Sequence, residues 1–220
     1  VFDQITGSRL ARAEHGLKML IIGLIICLST SIHSDNGSFR AAVRYSGGTE
    51  VVTEIFELCD RGGDVIYVKR DIPLNTFFIS NAGSVFALNE HHLCFYRLDG
   101  SETMLRDLVY PNGFGFSPDN SLFFASDRDG IFAYSCEGSL IHTYRPGRLF
   151  AATERGECVA VISADTLFIY ENGRLADAEP LASPYVWEVR FADGARRVVV
   201  QFRDVIDEYD RETQTWADRK

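Results

Sequence analysis

The feature that most constrains this chain is a period of about 38 residues, kept by two unrelated landmarks. "HLCFYRLDGS" at His92 to Ser101 aligns on "GIFAYSCEGS" at Gly130 to Ser139 without a gap, placing Tyr96 on Tyr134, Asp99 on Glu137 and Gly100 on Gly138. Shorter copies are "TLFIYENG" from Thr166, "VIDEYDRET" from Val205 and "EIFELCDRG" from Glu54. The anchors Leu58, Tyr96, Tyr134, Tyr170 and Tyr209 are therefore spaced by 38, 38, 36 and 39 residues. Pro73, Pro111, Pro146 and Pro184 keep the same time, at intervals of 38, 35 and 38, each falling 23 to 25 residues before a Tyr anchor.

A unit of this size cannot bury an apolar face alone, so neighbouring copies must stack. Within each copy, short runs of Val, Ile, Phe and Tyr alternate with Gly, Asn, Asp, Ser and Pro, the grammar of strands and tight turns. In the third copy the predicted strands are Phe114 to Phe116, Ser121 to Ala125, Ile131 to Tyr134 and Leu140 to Tyr144, divided by "SPDN", "DRDG" and "CEGS". Four strands in about 40 residues match a β-propeller blade. The expected fold is all-β, a propeller-like array of about five four-stranded antiparallel blades over units 35–72, 73–110, 111–145, 146–183 and 184–220.

"FSPDNSLFFAS" followed by "GIFAYS" resembles the WD-like repeat of many β-propellers, in which a Ser-Pro-Asp turn joins the two inner strands. Degraded versions stand at "ISNAGSVFAL", "ATERGECVAVI" and "FADGARRVVV". The Trp-Asp dipeptide is absent, Tyr134 being followed by Ser135 and Tyr170 by Glu171. The resemblance is thus to a degenerate propeller blade, and it implies binding or scaffolding as the function. The expected setting is exported and bacterial.

In the first copy "SDNG" at Ser34 takes the place of "SPDN", which puts that unit's first strand inside an N-terminal leader, 1–34. Arg9, Arg12 and Lys18 precede the apolar run Met19 to Leu28, and Ser29-Thr30-Ser31 follow it. Basic, apolar, then small and polar is the order of a secretory signal peptide, and about ten apolar residues fall short of the ~20 that span a bilayer. Ser31 or Ser34 is the expected cleavage position, and Met19 is an alternative start to Val1. A periplasmic, cell-surface or secreted location follows, with no stable membrane span after cleavage. Losing that strand would leave the first blade short, so the chain reads either as an incomplete ring or, the preferred expectation, as a fragment of a larger one.

Cys59, Cys94, Cys136 and Cys158 form no Cys-x-x-Cys pair. Export permits disulfides, but the spacing favours small buried side chains. A formal charge of -9 with no basic run argues against nucleic acid, leaving a protein or glycan as the expected partner.

Asp119, Asp127 and Asp129 cluster around "DRDG", as oxygen ligands do in a calcium loop, but Gly138 stands where the bidentate Glu would be needed. Turn formation is the better reading. His91 and His92 would point to opposite sides of a continuing strand, which disfavours a metal pair, and His142 has no matching partners. No metal or cofactor is expected. Linear motifs for a nucleophile elbow, a phosphate loop or a zinc protease are missing, so no catalytic residue is nominated.

The loops before each first strand and the turns between second and third strands should share one rim. That rim would present Asn75, Asn112, Arg148 and Tyr185 from the loops, and His91, His92, Arg128, Asp129, Asp165, Arg203 and Asp204 from the turns. Residues of these types suit a binding surface. Two other functions stay open: an extracellular hydrolase or lyase with its site in a central channel, and a structural segment of a larger surface protein.

Overall fold

A computed structural model describes residues 29–47, 52–70, 76–147, 149–203 and 205–217; the apolar run of the leader, Pro73, Asn75, Arg148 and Asp204 lie outside them. The described residues form five four-stranded antiparallel sheets. The first holds β1 (Ser29–His33), β2 (Phe39–Gly47), β3 (Val52–Asp60) and β4 (Val65–Arg70), and the second β5 (Thr76–Ile79), β6 (Val85–Asn89), β7 (His92–Tyr96) and β8 (Glu102–Asp107). The third contains β9 (Gly113–Phe116), β10 (Leu122–Ser126), β11 (Ile131–Ser135) and β12 (Leu140–Tyr144). The fourth runs through β13 (Leu149–Ala152), β14 (Cys158–Ser163), β15 (Thr166–Glu171) and β16 (Arg174–Pro180), and the fifth through β17 (Val186–Ala192), β18 (Arg197–Phe202), β19 (Ile206–Asp210) and β20 (Thr215–Trp216).

Each sheet is a simple meander, strand pairing with the next in sequence. The first sheet draws its opening strand from Ser29–His33, inside the stretch assigned to the leader, with Ser31 opposite Ala42. The chain divides into two compact units, one carrying the first two sheets and the other the three sheets that follow Val109.

The middle strands explain the apolar runs. Val85 to Leu88, Leu93 to Tyr96, Phe123 to Ser126, Ile131 to Tyr134, Val159 to Ile162 and Leu167 to Tyr170 are buried at every position instead of alternately. Continuous burial means that both faces of these strands are covered, as stacked sheets require. The fourth strands alternate or stay exposed, β8 and β16 among them, and so form outer edges. The repeat anchors are core residues: Leu58, Tyr96, Tyr134, Tyr170 and Tyr209 are all buried. In the two-sheet unit Phe56, Phe77 and Tyr96 pack together, and in the three-sheet unit Val161 and Phe168 join Phe124 and Tyr144 while Tyr209 joins Val198 and Val200. Burying one such aromatic stabilises the fold by about 2–3 kcal/mol.

Two further devices recur. In four sheets the turn between the first two strands begins with a Ser or Thr whose hydroxyl oxygen accepts a backbone N–H at, or one residue before, the start of the next strand. Phe39 donates to Ser34, Ser84 to Ser80, Leu122 to Ser117 and Cys158 to Thr153, each at 3.0 Å. Three residues after that hydroxyl the backbone turns left-handed, at Gly37, Gly83, Asn120 and Gly156, which is why Gly or Asn stands there. The third and fourth strands are joined through a bulge beside the anchor, as at Ile169/Tyr170 and Ala133/Tyr134.

Candidate functional site

Backbone hydrogen bonds join the turns after the second strands of the second, third and fourth sheets to loops that follow fourth strands. Leu108 N–H donates to His91 C=O at 2.8 Å, Arg128 N–H to Val109 C=O at 2.9 Å, and Leu181 N–H to Asp165 C=O at 2.7 Å. In these three sheets such turns and loops share an end.

In the three-sheet unit this end is held by Asp127, which is buried. Its Oδ1 accepts from the N–H groups of Asp129 at 2.7 Å and Gly130 at 3.0 Å, and its Oδ2 from Val109 N–H at 2.9 Å. Both oxygens are committed to the backbone, so Asp127 fixes a turn and ties it to the incoming loop. Asp119 does similar work in its own turn, its Oδ1 accepting from the hydroxyls of Ser117 at 2.8 Å and Ser121 at 2.7 Å. Burial opposes its charge, but the Ser121 and Ser117 donors and nearby Arg155 hold its carboxyl below the usual range. The Asp cluster is turn chemistry, as the spacing suggested.

Asn112, Arg128, Asp129, Asp165, Tyr185 and Arg203 are all exposed at this end. Arg128 lies 4.0 Å from Asp129. Asn112 is partly engaged, its Oδ1 accepting from Ser126 Oγ at 2.6 Å. Tyr185 is 75% exposed, and two large aromatics missed by sequence reasoning join it there, Tyr110 at 76% and Trp187 at 65%. Trp187 owes its exposure to a bulge: Val186 pairs with Phe202 and Glu188 with Gln201, leaving Trp187 unpaired between them. A bulge re-aims a side chain in this way. Val205 and Ile206 are also exposed in and beside the last turn.

In the two-sheet unit His91 and His92 do not point to opposite faces. The strand stops at Asn89, Glu90 takes φ +54°, and β7 begins only at His92, so His91 belongs to the turn. Its ring lies 4.1 Å from that of His92, and the nitrogens of both gather with the Asp107 carboxylate within 4.8 Å. The expectation that the two His side chains diverge is corrected here, because it assumed a strand continuing through His91.

A cleft of 780 Å³ opens at the other end of the three-sheet unit, along the first strands β9, β13 and β17 and the turns that follow them. Phe114, Phe116, Phe124, Phe150 and Phe191 line it, with Arg155, Arg190 and Arg211 among its charged residues. Arg211 is braced by Glu171 and the Ala195 carbonyl and stands 6.0 Å over the Phe191 ring. Burial, opposed by Arg211 and seconded by Glu171, keeps the Cys158 thiol of this cleft above its ordinary range, so it is a poor nucleophile. None of the described rim candidates lines the cleft.

No protein-family model matches the sequence, and no curated protein matches it. Solved structures are similar in fold. Hsv2p of Kluyveromyces lactis superposes with a TM-score of 0.51 at 11% identity over 82% of this chain and 73% of its own. Sqt1 from Chaetomium thermophilum gives 0.54 at 13% identity over 81% and 56%, and a eukaryotic initiation factor gives 0.55 at 11% over 78% and 50%. The chain therefore spans only about half the length of the last two. These neighbours are β-propellers, and five four-stranded antiparallel sheets in sequence order make this chain β-propeller-like as well.

Proposed function

We propose that the chain is a binding or scaffold module that acts outside the cytoplasm and engages a protein or glycan through the loop end of its sheets. The observation that supports this reading is the exposure of Tyr110, Tyr185 and Trp187 at that end of the three-sheet unit. Large aromatics left in water at the same end of the sheets as the exposed Arg128, Asp129 and Arg203 are the residue types enriched in contact surfaces.

The outside setting rests on the leader pattern around Met19 to Leu28, and cleavage within Ser29 to Ser34 would act on the strand that opens the first sheet. A hydrolase or lyase was expected to use a central channel; the carboxylates of Glu154, Glu157 and Asp193 stand instead in the cleft. Asp193 is engaged by Arg197, which removes one of the three from acid-base work.

The test compares the full chain with Tyr185→Ala, Trp187→Ser and, as a control in the cleft, Arg155→Ala. Photo-cross-linking on native material should yield the same partner with wild type and R155A, and lose it with the two aromatic variants. Retention by Y185A and W187S would reject the loop end as the contact surface, and turnover of a peptide or glycoside lost on Arg155→Ala would favour the enzyme.

A further inference from the structure

We propose that His91, His92 and Asp107 form a binding site for a divalent transition-metal ion of the zinc class. The three residues are brought together by the backbone. His92 and Asp107 are register partners on β7 and β8, so their side chains leave the sheet on the same face and meet, His92 Nδ1 against Asp107 Oδ1. His91 is held over them by its own carbonyl, which accepts from Leu108 N–H at 2.8 Å, and by the two-residue turn in which Glu90 takes a left-handed φ. Its ring lies 4.1 Å from that of His92, tilted by 40°.

Two imidazoles and one carboxylate are the donors of zinc-type sites, whereas magnesium and calcium call for oxygen alone. Ligand atoms around a tetrahedral zinc sit about 3.3 Å apart, given bonds of about 2.0–2.1 Å. The three donor atoms already lie within 4.8 Å of one another. An ion entering between His92 and Asp107 only has to part their direct contact and draw in His91. Exposure of His91 and Asp107 leaves room for that movement. Three protein donors leave a fourth position open to water or to a ligand from outside.

The alternative is an ion pair that merely fastens β7 to β8. Zinc itself is the probe: the full chain is titrated against a chromophoric zinc chelator, with magnesium as the competing control. The site predicts one zinc bound per chain, undisturbed by excess magnesium, and at least about tenfold weaker binding in His91→Ala, His92→Ala and Asp107→Asn, since even outer-shell losses cost 10–100-fold. It also predicts that zinc raises the wild-type unfolding temperature, a gain that ligand binding to the folded state must give. Cobalt(II) taken up by wild type should show the absorption of a low-coordinate nitrogen and oxygen site, a readout that needs no variant. No zinc uptake, or uptake unchanged in all three variants, overturns the proposal, as does a cobalt spectrum of the hexaaqua ion.

Discussion

Replacing Asp127 by Ala should be among the most damaging single changes in the three-sheet unit. The carboxylate is 1% exposed and accepts three backbone N–H groups, from Val109, Asp129 and Gly130. A hydrogen bond to a charged group contributes about 1.5–3 kcal/mol, and a buried donor left without a partner costs about 1–3 kcal/mol. The three bonds share one acceptor group and will not add, so the expected loss is about 3–4 kcal/mol. Asp127→Asn keeps an oxygen for Asp129 and Gly130 but turns an N–H₂ towards the Val109 N–H, and should lose about 1.5–3 kcal/mol. Urea unfolding followed by fluorescence gives both values from the midpoint and slope. A loss below about 0.5 kcal/mol for Asp127→Ala, the range of ordinary surface changes, would refute the reasoning. Equal losses for Ala and Asn would refute the separate role assigned to each oxygen.

Other outcomes follow from the same geometry. Ser117→Ala removes the hydroxyl that Leu122 N–H donates to at 3.0 Å and should cost about 1 kcal/mol by urea unfolding, with Thr153→Ala costing a similar amount at the corresponding turn. Stability should fall in alkali: burial pushes Tyr144 up to about 12, and burial with Glu102 pushes Cys94 up to about 11, so both stay protonated in the fold while the unfolded chain ionises earlier. That contribution is complete below the unfolded-state values and is lost as pH rises through the folded ones, giving a falling urea midpoint between about pH 9 and 12. Cys94 should accordingly resist alkylation at pH 8 until the chain unfolds, which mass spectrometry of iodoacetamide-treated protein will read.

The repeat was legible because one physical demand recurs. Tyr96, Tyr134, Tyr170 and Tyr209 fill the same buried slot, and Ser34, Ser80, Ser117 and Thr153 make the same turn, so their spacing carried the architecture. In the third copy the expected strands differ from the observed ones by a residue at some ends, and Leu140–Tyr144 agrees outright. The candidate sites were less legible, because they depend on pairings between distant segments. Asp107 follows His92 by a whole hairpin and meets it only through the β7–β8 register. Trp187 looks like an ordinary strand residue until the bulge turns it out, and the cleft is assembled from first strands and turns of three different repeats. The sequence signal nearest to the proposed metal site was the His pair itself, and treating its turn as a strand separated the two rings.

Each repeat is one four-stranded sheet whose second and third strands carry the core. Residue-resolved hydrogen exchange tests it directly, since protection follows burial and pairing. The account predicts strong protection in β6, β7, β10, β11, β14 and β15, weak protection along the exposed outer strands β12 and β16, and a pattern returning about every 38 residues. Uniform protection, or maxima in the fourth strands, would contradict it.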